Sequence, residues 1–126
     1  MQELREKAIT RYVDLNVPKV IGERLHSYLH TFSEHYAHDG KSVAFKPDYA
    51  KATMRRNLQS QSARDTAGGM AYVKQRVQKH FQGWQAIWRV VLEEMRVLFE
   101  RYKEAIVVVY GEEMAGECAC LSVSDV

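Results

Sequence analysis

The chain has 126 residues, 46% of them hydrophobic, with 18 Lys and Arg against 16 Asp and Glu and a formal net charge of +2. That length suits one domain around one core, no apolar run approaches the roughly 20 residues of a membrane span, and the polar stretch Met1 to Lys7 does not read as a secretory leader. The expectation is a soluble, cytoplasmic protein whose two cysteines, Cys118 and Cys120, stand at an i, i+2 spacing that favours free thiols over a disulfide.

The small net charge conceals a segregation. Residues 1 to 40 carry five Lys and Arg against six Asp and Glu, residues 41 to 83 nine against two, and residues 84 to 126 four against eight, so the blocks are −1, +7 and −4. A basic middle joined to an acidic end either folds back to neutralise itself or offers its basic face to a polyanion. Both readings stay open at the level of sequence.

In chain order, Leu4, Ala8, Ile9, Tyr12, Val13 and Leu15 lie near helical spacing, and Asp14 to Pro18 reads as a break because the residue before proline avoids the helical region. Pro18 then suits the first turn of a second helix with the apolar stripe Val20, Ile21, Leu25, Tyr28, Leu29, Phe32 and Tyr36, ending before Asp39 and Gly40. His26 and His30 stand four residues apart on it, with His35, His38, Glu34 and Asp39 close by. Such a row presents imidazoles on one helical face, as zinc requires, yet no His-Glu-x-x-His order or second ligand cluster accompanies it. The expectation is no metal and no cofactor, with the histidines facing solvent.

Ser42 to Phe45 reads as a brief extended segment, and Pro47-Asp48 as a helix start with Asp48 as cap. The polar run Gln59 to Thr66, closed by Gly68-Gly69, reads as a loop, so residues 41 to 69 form a basic, partly irregular segment. From Met70, the residues Val73, Val77 and Phe81 mark an amphipathic helix that is basic on its wet side, and Gly83 is placed to end it in the left-handed conformation. The candidate phosphate-contacting residues of this block are Lys41, Lys46, Lys51, Arg55, Arg56, Arg64, Lys74, Arg76 and Lys79.

Trp84, Ile87, Trp88, Val91, Leu92, Met95, Leu98, Phe99 and Tyr102 then fall on one face of a long helix running to about Tyr110. Arg89, Glu93, Glu94, Arg96, Glu100, Arg101, Lys103 and Glu104 fill the opposite face. The two indoles are read as core rather than as a ligand box. The fold expected is all-α, a single helical domain over residues 1 to 126 built around this helix, although the β-branched run Ile106 to Val109 is also compatible with a strand.

The run Arg101-Tyr-Lys-Glu-Ala-Ile-Val-Val-Val-Tyr-Gly111 resembles the opening helix of the fourth region of bacterial sigma factors, which precedes a helix-turn-helix. On that pattern Met114 to Leu121 is the first helix of the motif, with the small Cys118 three before Leu121, and Ser122-Val123-Ser124 is the turn with Val123 buried. Ser122 stands where glycine is usual and Glu117 where an apolar residue is usual, and a recognition helix would begin at Val126, so residues 101 to 126 form an incomplete motif. With its N-terminal helices and basic middle, the chain is similar to the Q-type late antiterminators of lambdoid phages. The resemblance implies a DNA-binding transcription antitermination regulator acting in a bacterial host cell on RNA polymerase and sigma factor. No Gly-rich phosphate loop, nucleophile elbow or paired carboxylates appear, so catalysis is not expected. The alternative is a helical protein-protein interaction or inhibitor protein without nucleic-acid contact.

Overall fold

A computed structural model describes residues 2–59 and 66–121. Among these residues five α-helices are described: α1 (Gln2–Ile21), α2 (Glu23–Asp39), α3 (Lys51–Leu58), α4 (Thr66–His80) and α5 (Trp84–Tyr110). Tighter 3₁₀ segments over Gly40–Phe45, Pro47–Tyr49 and Glu112–Leu121 link or follow them, and no strand occurs among the described residues.

The organising element is α5, 27 residues and about 40 Å long. Ile87, Trp88, Val91, Met95, Phe99 and Tyr102 are buried, and Trp84, Leu92 and Leu98 are half-buried, as the periodicity predicts. Its wet face is tied along the axis by Arg96, which pairs with Glu93 and with Glu100. Gly83, at φ 69°, makes the left-handed turn that separates α4 from α5. Ile106 to Val109 continues the helix, so the strand reading of that run is overturned. Ala105 and Ile106 are buried there, and packing on one stripe outweighs β-propensity.

Helix α1 runs through Pro18 without the expected break. Val13, Val17, Val20 and Ile21 are buried in the common core, and this packing outweighs the hydrogen bond that proline cannot donate. The chain turns instead at Gly22, φ 88°, whose N–H still donates to the Pro18 carbonyl. Leu15, assigned to the apolar stripe, is 67% exposed, while Asn16 is buried with its amide donating to the Tyr12 carbonyl at 2.8 Å.

Three further expectations change. Ser42 to Phe45 is not extended but lies in the 3₁₀ segment Gly40–Phe45, wound so that Val43 reaches the core. Asp48 caps no helix; it lies within the turn Pro47–Tyr49, and α3 starts beyond it with Ala50 at its N-cap. Gly68 and Gly69 are not a loop but belong to α4, which crosses α1 so closely that a Cβ on Gly69 would stand 2.5 Å from the Lys19 carbonyl oxygen. Helix α4 packs on α1 and α5, while α2, both short 3₁₀ segments, α3 and Glu112–Leu121 gather around the C-terminal half of α5.

Candidate interaction surfaces

The basic block divides between the two ends of α5. On α4, Lys74 holds its ammonium 5.9 Å from the Trp88 ring, and Arg76 lies 5.7 Å from the Tyr72 ring with a 3.3 Å hydrogen bond to its hydroxyl. At the other end, Tyr110 donates its hydroxyl to the Tyr49 carbonyl, and Tyr28 donates to the Asp48 carbonyl at 2.6 Å, which fixes the chain entering α3. Twenty-two helical residues separate Trp88 from Tyr110, about 33 Å. The eight candidate cations among the described residues therefore do not form one patch.

Those near α3 are largely answered within the chain. Met54 and Leu58 bury one side of α3, which turns Lys51 and Arg55 toward the 3₁₀ segment Glu112–Leu121. Lys51 pairs with Glu113, Arg55 approaches Glu117 at 3.8 Å, and Gln59 donates to Glu117 at 2.7 Å. Arg55 also donates to the Met114 sulfur at 3.8 Å. The basic middle thus folds back on the acidic end at these positions. Lys46 pairs with Asp39 at 3.5 Å, and His38 and Lys46 together hold the Asp39 carboxyl below its ordinary range. Lys41, Arg56 and Lys79 are exposed and make no ion pair among the described residues. Arg64 lies outside the described residues.

The candidate helix-turn-helix has a different local geometry. Glu112–Leu121 is 3₁₀ with a kink at Cys118 rather than an α-helix. Met114, Cys118 and Leu121 are buried, and the Cys118 thiol donates to the Met114 carbonyl at 3.3 Å. Glu117 is half-buried because it answers Arg55 and Gln59, which accounts for a charge at a position the motif keeps apolar. The turn Ser122 to Ser124, with Val123, lies outside the described residues.

The histidines diverge. His30 pairs with Glu34 at 3.0 Å and His38 meets Asp39 at 3.0 Å, while His35 lies 5.6 Å from the Tyr49 ring. His26 is half-buried rather than solvent-facing, its ring stacked 6.3 Å from His30. Among the described residues no group of three or more His, Cys, Asp and Glu is placed to hold a metal, and no helix is long and apolar enough to cross a membrane.

A surface that the motifs do not announce lies along α5. Three adjoining clefts, of about 320, 590 and 300 Å³, follow α5 from Glu93 to Ala105 with Arg101 common to all three. The first opens against α1 at Thr10, Val13 and Asp14; the middle one reaches His26, His30 and Glu34 of α2; the third ends on Tyr36 and Ala37. Burial pushes the Tyr102 phenol up, opposed by Arg101 and aided by Asp14. Burial and the neighbouring His30 push the His26 imidazole down toward its neutral form. Asp14 comes from α1, whereas Arg101 and Tyr102 are consecutive on α5, one on its wet face and one in its core stripe. Only a hydroxyl amid apolar neighbours marks Tyr102 in the sequence.

No known protein family matches this chain, and neither a curated protein nor a solved structure is significantly similar to it.

Proposed function

We propose that this chain is a helical protein-binding module that docks a partner along the outer side of α5 and the clefts beside it. The observation that carries this reading is the disposition of the basic block. Lys46, Lys51 and Arg55 meet carboxylates of the same chain, and the α4 cations lie by the Trp88 end of α5 while those around α3 lie by its Tyr110 end, two positions about 33 Å apart along the helix. The outer side of α5 meanwhile exposes Val90, Val97 and Val108, whose spacing of seven and eleven residues keeps them on one stripe beside the clefts.

The test has two arms. Fluorescence anisotropy with DNA and RNA at roughly 50 and 200 mM salt is expected to give weak binding without sequence preference. Co-purification from the native cell is expected to retain a partner on the wild-type chain and to lose it with Val97→Glu, at unchanged melting temperature. Tight, sequence-dependent DNA binding, or a partner indifferent to Val97, overturns the reading.

A second reading keeps the resemblance to the late antiterminators, as a transcription regulator meeting DNA and RNA polymerase. It is favoured by the exposure of Lys41, Arg56 and Lys79, which have no ion pair among the described residues. Replacing the three by alanine is expected to lower DNA affinity and flatten its salt dependence by about 0.9 for each phosphate no longer neutralised. A folded triple variant with unchanged affinity rejects it.

A further inference from the structure

The clefts along α5 have an acidic edge. Asp14, Glu34, Glu93, Glu94 and Glu104 line them against one permanent cation, Arg101. Glu34 and Glu93 are engaged by His30 and Arg96, and Glu94 accepts from Thr10 at 3.2 Å, whereas Asp14 and Glu104 make no ion pair among the described residues.

An acidic edge alone does not define a ligand. The middle cleft adds a separate observation. Tyr102, which lines it, is 2% exposed, and its hydroxyl is buried without a hydrogen-bond partner. His26 Nδ1, in the same cleft, is likewise buried and unpartnered. Native proteins seldom leave such atoms unpaired, because each has given up water for nothing. Asp14 is close enough to influence the titration of both groups. The carboxylate accepts, the phenol oxygen has lone pairs to accept with, and a neutral imidazole accepts at the nitrogen that carries no proton. What answers all three at once is a group rich in N–H donors and positively charged.

Resting on the protein-binding reading above, we infer that the middle cleft takes a Lys or Arg side chain from a basic amphipathic segment of the partner, donating to Asp14 at its mouth and, once the half-buried His26 ring turns aside, to Tyr102 Oη and His26 Nδ1. Charge complementarity selects this occupant: the flanking Glu94 and Glu104 extend the acidic edge over about 15 Å, ten helical steps. The apolar Val13, Val97 and Leu98 receive the uncharged face of the same segment. Arg101 opposes the incoming cation, so its neutralisation has the opposite sign to that of Asp14.

The test titrates the full chain against a fluorescein-labelled helical peptide of about 14 residues with Arg and Leu at helical spacing, beside versions carrying Gln or Glu in place of Arg. The Arg peptide is expected to bind about tenfold tighter than the Gln peptide. Asp14→Asn weakens it about tenfold, Tyr102→Phe weakens it at least about threefold without lowering the melting temperature, and Arg101→Gln tightens it. Glu112→Gln, the same change of charge away from the clefts, leaves it unchanged. Equal losses for Asp14→Asn and Glu112→Gln, or a silent Tyr102→Phe, reduce the effect to general charge attraction and overturn the inference. If the Gln peptide binds as tightly as the Arg peptide, and Val97→Glu abolishes it, the cation pocket is wrong while the protein-binding reading stands. Asp14-dependent binding of spermidine without binding of the Arg peptide assigns the cleft to a free amine and also overturns it.

Discussion

Substituting Gly69 by alanine sets two well-measured effects against each other. In a helix interior alanine is favoured over glycine by about 1 kcal/mol, so helix propensity predicts a more stable protein. Here the added Cβ would lie 2.5 Å from the Lys19 carbonyl oxygen, 2.6 Å from the Val20 Cα and 2.9 Å from the Val20 carbonyl oxygen. Ordinary contact begins near 3.4 Å, so α4 must withdraw from α1 by about 0.9 Å. All three neighbours are backbone, and no rotamer change relieves them. Withdrawal loosens the shared core of Met70, Val73 and Val77 on α4 with Val17 and Val20 on α1. Overpacking of this kind costs typically 1–3 kcal/mol, and with backbone on both sides the upper part of that range is expected, leaving a net loss of about 2 kcal/mol after the helix gain. For a domain of this size that lowers the melting temperature by about 6–10 °C. Urea unfolding monitored by circular dichroism measures it, with Gly116→Ala, which meets nothing within 4 Å, expected to stay within about 0.5 kcal/mol of the parent. A Gly69→Ala variant as stable as the parent refutes the close crossing of α1 and α4.

Trp88→Ala empties a buried site on α5 and is expected to cost about 3–5 kcal/mol; an unchanged melting temperature shows that this face is not core. Glu113→Gln with Glu117→Gln releases Lys51 and Arg55 and is expected to raise heparin affinity at low salt several-fold, with about 1 kcal/mol of stability at stake because water reaches both pairs, Glu117 being half-buried. Unchanged heparin affinity means the acidic segment does not mask the basic one. Tyr110, with burial and Tyr49 pushing its phenol from the ordinary 10.0 up to about 12, keeps its proton in the folded state after the unfolded chain has lost it. The folded chain then binds more protons, so this contribution is whole below pH 10 and is lost as pH rises toward 12. Denaturant midpoints across that window, compared with Tyr110→Phe, check it; equal slopes for the two proteins refute it.

How much was legible depends on whether the deciding contact is local. Most of helix α5 could be read, because 3.6-residue periodicity runs from Trp84 to Tyr102 and the charges on the opposite face agree; only the β-branched run Ile106 to Val109 left a strand open. Pro18 misled for the converse reason: a rule about one residue and its neighbour yields to four buried side chains on α1. Gly68-Gly69 looked like a loop because propensity registers the missing Cβ as weakness, whereas here its absence lets two backbones meet. The charge segregation showed that the basic block and the acidic end have a partner to find, yet the pairing of Lys51 with Glu113 joins residues 62 positions apart and only the fold selects it. The cleft was half legible. His26 and His30 stood out by spacing, while Asp14 and Tyr102 became their neighbours only when α1 and α2 closed over α5.

Charge counted along the chain therefore differs from charge met by a partner. Cations engaged by Glu113, Glu117 and Asp39 contribute little to the field beyond their own pairs, and the ends of α5 beside which the α4 and α3 groups lie, at Trp88 and Tyr110, are about 33 Å apart, some four Debye lengths at physiological salt. A duplex crossing one group does not feel the other unless it lies along the whole of α5. A polyanion aligned that way would pass the carboxylates between Glu93 and Glu104 wherever it faced the clefts, and a cationic segment would find them complementary. The same arrangement that weakens one class of partner strengthens the other, so a single charge change at Asp14 should move the two affinities in opposite directions. Parallel titrations of the Asp14→Asn variant with heparin and with the Arg peptide measure both signs, and movement in the same direction contradicts the argument.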